Sequence, residues 1–418
     1  MNQENATHSS SDEGIKGFLF GDLSNSVTNY DVAIILLLMV FLFSTTLSIA
    51  VMNIAYGAAA FLWVGRMVYR KRNEISKTPI DKFLIAFVAA LGLSLIFSYN
   101  KPQSLLYMYR RVTLLPIIFV MFGNIRSTRM LKILFGTLMA AMIFVALWSL
   151  RDVFFHLHEY VLFQRRLREF QMYMTAGGMM MFGLLLLLPF VLHPKTPSKL
   201  RWFALASLVP VGTNLLFTFT RSSWLGFLMG AIVIGAYRAK RIFLPLALVV
   251  ITVVTVSSPE MKERMSSIFN PYHPNNITRL HMWETGIKIF KDHPIVGVGD
   301  IGIEHVWDFY APPENEFVGH LHNNLLMWLV TLGSIGFVVL VALFVKLWIV
   351  ISRIEQKLHD NWFLGSLALG CLAVMTGFHI NGLFEWNFGD VEIIIVVWTI
   401  VGMTLAAEKV AALEGKVA

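Results

Sequence analysis

Apolar runs separated by short cation-rich breaks occupy most of the chain. They fall at 31–48, 50–68, 80–98, 112–123, 131–150, 173–192, 200–219, 222–238, 241–257, 323–349, 362–381 and 391–408. An α-helix needs roughly 20 residues to cross the hydrocarbon of a bilayer. The pattern therefore predicts an all-α integral membrane protein with about twelve transmembrane helices. The run at 112–123 is short and reads as a tilted or partial helix reaching back through Arg110 and Arg111. One long break, 258–322, is cut into short pieces by Pro271, Pro274, Pro294, Pro312 and Pro313. Inside it, Ile277 to Phe290 predicts an amphipathic helix with Leu280, Trp283, Ile287 and Phe290 on its apolar stripe. Arg279 leads that helix, and an arginine beside such a stripe is expected at the membrane surface, facing whatever docks there. The segment 151–171, with Phe154, Phe155, Tyr160 and Phe163, reads as a second interfacial piece. The expected division is a tail at 1–30, nine helices over 31–257, a loop at 258–322, three helices over 323–408 and a tail at 409–418.

Composition agrees with that class: hydrophobic residues make up 56% of the chain, and mean hydropathy is +0.65. The net charge of +8 could suggest a nucleic-acid partner, but the basic residues lie between apolar runs, where they set orientation. Arg66, Arg70, Lys71, Arg72, Lys77 and Lys82 follow the second run. Later even-numbered breaks carry Arg126, Arg129 and Lys132, then Lys195, Lys199 and Arg201, then Arg238, Lys240 and Arg241, then Lys346, Arg353 and Lys357. Positive charge prefers the cytoplasmic side, so both termini are expected there, and 258–322 on the opposite, periplasmic face. The first 30 residues are polar and lack the features of a cleaved signal peptide, so the first helix is expected to be retained. The single cysteine, Cys371, leaves no intrachain disulfide and no Cys-based metal site. No internal repeat is visible.

Several arginines violate the orientation bias: Arg110 and Arg111; Arg165, Arg166 and Arg168; Arg221; Arg264 and Arg279 all fall on the outer side. Guanidinium is the fork that grips phosphate oxygens in pairs, which points to an anionic ligand on that face. Pairing with Glu169, Glu304 or Glu385, or with lipid headgroups, is the plainer alternative. Arg221 is the lone charge between two apolar runs, a costly position unless it faces water, a partner or a ligand. Ser222 and Ser223 are placed to cap the following helix. His320 and His322 stand where the long loop enters the tenth run, followed by Asn323. A histidine there is a natural general base. A helix cap and a two-histidine metal site are the other readings, although no neighbouring ligand in the sequence completes a metal shell. Gly297, Gly299 and Gly302 match a dinucleotide fingerprint only formally, for no strand and helix flank them, and a turn is expected.

Three of these motifs together carry a family likeness. Thr218 with Thr220 to Gly226, Arg279 to Glu284 followed by Pro294 and Gly297, and His320 to Asn323 resemble the O-antigen ligase and O-antigen polymerase superfamily across roughly residues 170–345. The resemblance implies a GT-C-like bundle in a bacterial inner membrane. Its donor would be an undecaprenyl-diphosphate-linked O antigen and its acceptor lipid A-core, with membrane lipids as surroundings and no nucleic acid, cofactor or metal. Carried over by position, it makes Arg221 and Arg279 a diphosphate clamp and His322 the base. Arg110, Arg111, Arg165, Arg166, Arg168, Ser222, Trp283, His320 and Asn323 are the further substrate-binding candidates. One dominant outer loop favours a ligase over a polymerase. A flippase or exporter of lipid-linked glycan, needing no base, is the alternative of a different class.

Overall fold

The computed structural model describes residues 14–163, 165–167, 170–238, 240, 243–256, 259–267, 270–300, 303–312 and 319–415. Among them the protein is helical throughout, with no strand. The helices are α1 (Asn29–Ser44), α2 (Ile49–Tyr69), α3 (Asp81–Ile96), α4 (Lys101–Val112), α5 (Pro116–Asn124), α6 (Thr128–Phe155), α7 (Leu157–Leu162), α8 (Tyr173–Leu192), α9 (Ser198–Phe217), α10 (Arg221–Tyr237), α11 (Phe243–Val256), α12 (Pro259–Ser266), α13 (Pro274–Asp292), α14 (Glu304–Trp307), α15 (Asn324–Leu358), α16 (Leu364–Asn381) and α17 (Val391–Leu413).

A helix occupies each apolar run, but the described residues hold eight spans long and apolar enough to cross a membrane, α4 and α5 counting as one. A ninth arises if Gly14–Ser24 and α1 form one bent span. Helices α3, α10 and α11 have only 16, 17 and 14 residues. The short run at 112–123 does reach back through Arg110 and Arg111, broken at 113–115 ahead of Pro116.

Helices α8, α16 and α17 form the centre, each with 83% of its apolar window buried, against 33% for α2 and α9. Small residues let the central backbones approach closely. On α10, a Cβ at Gly226 would lie 2.7 Å from the Gly377 carbonyl oxygen of α16, and one at Gly230 would lie 2.8 Å from that of Ala373.

Helix α15 breaks at Gly333, whose φ of 64° is easily reached only without a side chain. The break frees carbonyls and amides that cannot stay unpaired in a buried place. The loop after α13 satisfies them: Val298 and Gly299 N–H donate to the Val330 and Thr331 carbonyls, while Ser334 and Ile335 N–H donate to those of Pro294 and Ile295. Gly297, at φ 70°, allows this contact, since a Cβ there would sit 2.5 Å from the Thr331 carbonyl carbon. The turn falls at 294–296, just ahead of Gly297, while Gly297 and Gly299 follow it with positive φ and Gly302 lies outside the described residues.

Polar contacts sort the helix ends into two groups. At one end Asp31 of α1 meets Arg66 of α2 at 2.6 Å and Arg126 before α6 at 3.1 Å, and Arg66 bonds Asn124 of α5 at 2.7 Å. Glu414 after α17 accepts from the N–H and hydroxyl of Thr128. Lys357 of α15 reaches Glu408 of α17, Arg238 after α10 reaches Glu355, and His193 after α8 bonds the His359 carbonyl. The cation-rich breaks therefore gather at this end. Arg221, Arg279 and His322 lie together at the other.

Candidate active site

Helix α13 departs from its expected face in a way that matters for the site. Leu280 and Ile287 of the expected stripe are exposed, and the buried positions are Met282, Thr285, Gly286 and Ile289. Gly286 explains the rotation: a Cβ there would come within 2.8 Å of Leu321, so the segment before α15 packs on this face. Arg279 precedes Met282 by three residues and shares its face. It therefore points into the protein with Met282 rather than lying beside an exposed stripe.

The result is a cavity of ≈ 280 Å³ lined by Arg166, Tyr173, Arg221, Ser222, Thr278, Arg279, Met282, His322 and Glu385, among others. Arg221 opens α10 immediately after a tight reversal in which Phe219 adopts φ 51°. Its guanidinium donates to Ser267 Oγ at 2.6 Å and to Asn276 Oδ1 at 3.2 Å, both neutral oxygens that fix its direction, and among the described residues no carboxylate pairs with it. Arg279 approaches Glu385 at 4.0 Å. Burial pulls Arg279 below the usual arginine value, with Glu385 opposing. Arg166 lies over the Tyr173 ring at 4.2 Å, a cation–π contact. Among the described residues, three arginines thus line one cavity with one carboxylate among them, a field that suits an anion.

His322 is held from several directions. Its φ of 48° is the left-handed region, which costs a non-glycine residue about 1–3 kcal/mol. Its Nδ1 lies 3.1 Å from Glu385 Oε1. With the proton on Nδ1, this bond orients the ring and leaves the Nε2 lone pair for a substrate proton. Burial works to raise the Glu385 carboxyl, but the His322 bond and the charges of His322, His320 and Arg279 outweigh it, so it lies below the usual carboxylate value. Glu385 Oε2 is buried with no hydrogen-bond partner among the described residues, the Arg279 guanidinium standing 4.0 Å from it. The His320 ring lies edge-on to that of His322, centroids 4.1 Å apart. His320, His322 and Glu385 could together hold a cation, since their ligand atoms all fall within 4.8 Å of one another. Arg279 stands 4.0 Å from the same carboxylate and competes with any such ion.

The other candidates divide. Ser222 and Arg166 line the cavity, while Trp283 donates from Nε1 to the Leu321 carbonyl at 2.9 Å and so braces the His320–His322 segment. Asn323 caps α15 by accepting from Leu326 N–H, taking the role open to the histidines. Ser222 and Ser223 do not cap α10: the helix already begins at Arg221, with Thr220 as its N-cap, and Ser223 Oγ accepts from Asn381 instead. Arg110 is exposed over Tyr107, and Arg165 pairs with Asp152 and Glu159. Arg111 is locked to Asp300 and the Phe388 carbonyl, with its guanidinium over the Trp328 and Trp386 rings. The structure does not bring these three to the cavity. Arg168 and Glu169, and the side chains of Arg264 and Glu304, lie outside the described residues.

Glu385 as the partner of His322 was missed in the sequence, where it stood only as a possible counter-ion for an arginine. Its one visible signal is an acid among aromatics, Phe384-Glu385-Trp386, between two apolar runs.

No curated protein matches the chain. Residues 205–341, from α9 to α15, match the family model described as O-antigen ligase. Arg221, Arg279, His320 and His322 all fall inside the matched stretch, so the part of the chain that carries the cavity is similar to the O-antigen ligase family.

Proposed function

We propose that the chain is a glycosyltransferase of the ligase type, joining an O antigen carried on undecaprenyl diphosphate to a sugar hydroxyl of lipid A-core at the periplasmic face of the inner membrane. The observation that carries this reading is one cavity uniting Arg221, Arg279 and a carboxylate-bonded His322. In the reaction the acceptor oxygen attacks the anomeric carbon of the donor sugar from the face opposite the diphosphate. His322 Nε2 takes the hydroxyl proton, the new C–O bond forms, and the bond to the phosphate oxygen breaks with inversion. Its electron pair leaves on the diphosphate, whose growing charge Arg221 and Arg279 meet with guanidinium donors. Glu385 keeps the His322 proton on Nδ1 and stabilises the imidazolium that forms, as the carboxylate does in other His-based triads. No metal is required in this scheme, because the arginines supply the positive charge that a cation would.

Orientation rests on the positive-inside rule: the cation-rich end would face the cytoplasm and the cavity the periplasm. Purified protein incubated with lipid-linked O antigen and lipid A-core, with and without a chelator, tests the reading. A ligase yields capped lipopolysaccharide under both conditions. Longer lipid-linked chains would assign a polymerase instead, and no new covalent product in either form would leave only a transport role.

A further inference from the structure

His320 is next to the cavity but is not among the residues that line it, and its contacts give it a distinct job. The His322 backbone N–H donates to His320 Nδ1 at 3.2 Å, closing a two-residue turn of the kind Asx side chains make. This bond supports His322 in its left-handed conformation, with Trp283 on the Leu321 carbonyl and Asn323 capping α15 to either side. A ring nitrogen that accepts from a backbone N–H carries no proton, so the neutral tautomer of His320 has its hydrogen on Nε2. Nε2 lies 4.0 Å from Glu385 Oε1, too far for a hydrogen bond, and His322 is the histidine that bonds this carboxylate.

We infer that His320 is a positioning residue, acting through Nδ1 as the backbone acceptor that fixes His322 against Glu385, and is neither a base nor a metal ligand. The inference rests on the reading of His322 as the base. The groups facing His320 are His322 on its own segment, Arg279 on α13 and Glu385 between α16 and α17. Burial first, then the charge of His322, lowers the His320 imidazole to about 4, with Glu385 opposing and Arg279 adding to the fall. It therefore stays an acceptor at neutral pH.

Two substitutions separate the two ring nitrogens. His320→Asn keeps an oxygen near the Nδ1 position that can accept from the amide two residues on, whereas His320→Gln carries its polar group at the reach of Nε2. Turnover and donor KM are measured on monodisperse protein with undecaprenyl-diphosphate-linked O antigen and lipid A-core, with His322→Ala as a separate arm. The Asn protein should keep kcat within about threefold of the parent. The Gln protein should lose roughly tenfold to a hundredfold in kcat at unchanged donor KM, the scale of a misplaced reacting group. Asn as weak as Gln, Gln as active as Asn, or chelator-sensitive parent activity overturns the positioning role. Near-parental turnover in His322→Ala would instead remove the underlying reading of the base, whatever the two His320 proteins do.

Discussion

At the scale of single residues, two guanidinium forks, a histidine tautomer and one carboxylate carry the chemistry. Arg221→Lys and Arg279→Lys should each lower turnover by two to three decades, or about 2–4 kcal/mol, because an ammonium cannot reproduce two parallel donors at a developing anion. Steady-state kinetics on folded, inserted protein is the check, and normal ligation by both variants would dismiss the clamp. Glu385→Gln keeps shape but no longer holds the His322 proton on Nδ1, so kcat should drop by roughly two decades or more while donor binding persists. Glu385 and His320 both titrate below their ordinary values in the fold. For each, the unfolded chain binds protons first as pH falls, so their stability contribution is full above the ordinary value and declines as pH drops through the folded one. Thermal unfolding in detergent should show a loss for His320 running from about pH 6.5 down to 4, and for Glu385 from about pH 4.5 downward. A melting temperature flat over that range would contradict the site's electrostatics.

At the scale of elements, hydropathy carries helix existence well because each span's backbone bonds close within itself and its apolar content marks it. It carries less about what the helices do to one another. The break in α15 is invisible to a hydropathy window, since Gly333 sits in an unbroken apolar run and its partner loop lies some 35 residues earlier. The face of α13 was misjudged for a related reason. Leu280 and Ile287 are apolar and periodic, yet the choice of buried face fell to Gly286 and the chain packed on it. Arg221, Arg279 and His322 were legible from charge, placement and motif, while Glu385 was not, because nothing local relates it to a histidine 63 residues away. Gly333→Ala tests the α15 junction: a Cβ there runs into the Ile295 carbonyl and strains φ. Destabilisation of about 1–3 kcal/mol is expected, read as a fall in melting temperature together with reduced turnover. An unchanged melting temperature would mean that the loop is not seated in the break.

At the scale of the whole molecule, two ends of different chemistry make a vectorial protein. One end collects lysines and arginines with carboxylate partners, and the other holds a cavity where, among the described residues, arginines outnumber acids. Cysteine placed at Ser266, exposed near the site end, should react with an impermeant thiol reagent in spheroplasts, and cysteine at the exposed Lys77 should not. The reverse labelling would invert the orientation. The most direct test of the central claim measures donor binding and glycan transfer side by side in His322→Ala. Lipid-linked donor should still bind through Arg221 and Arg279 while transfer to lipid A-core is lost by at least two decades, the typical share of a general base. Near-parental turnover with saturating donor and acceptor would contradict it.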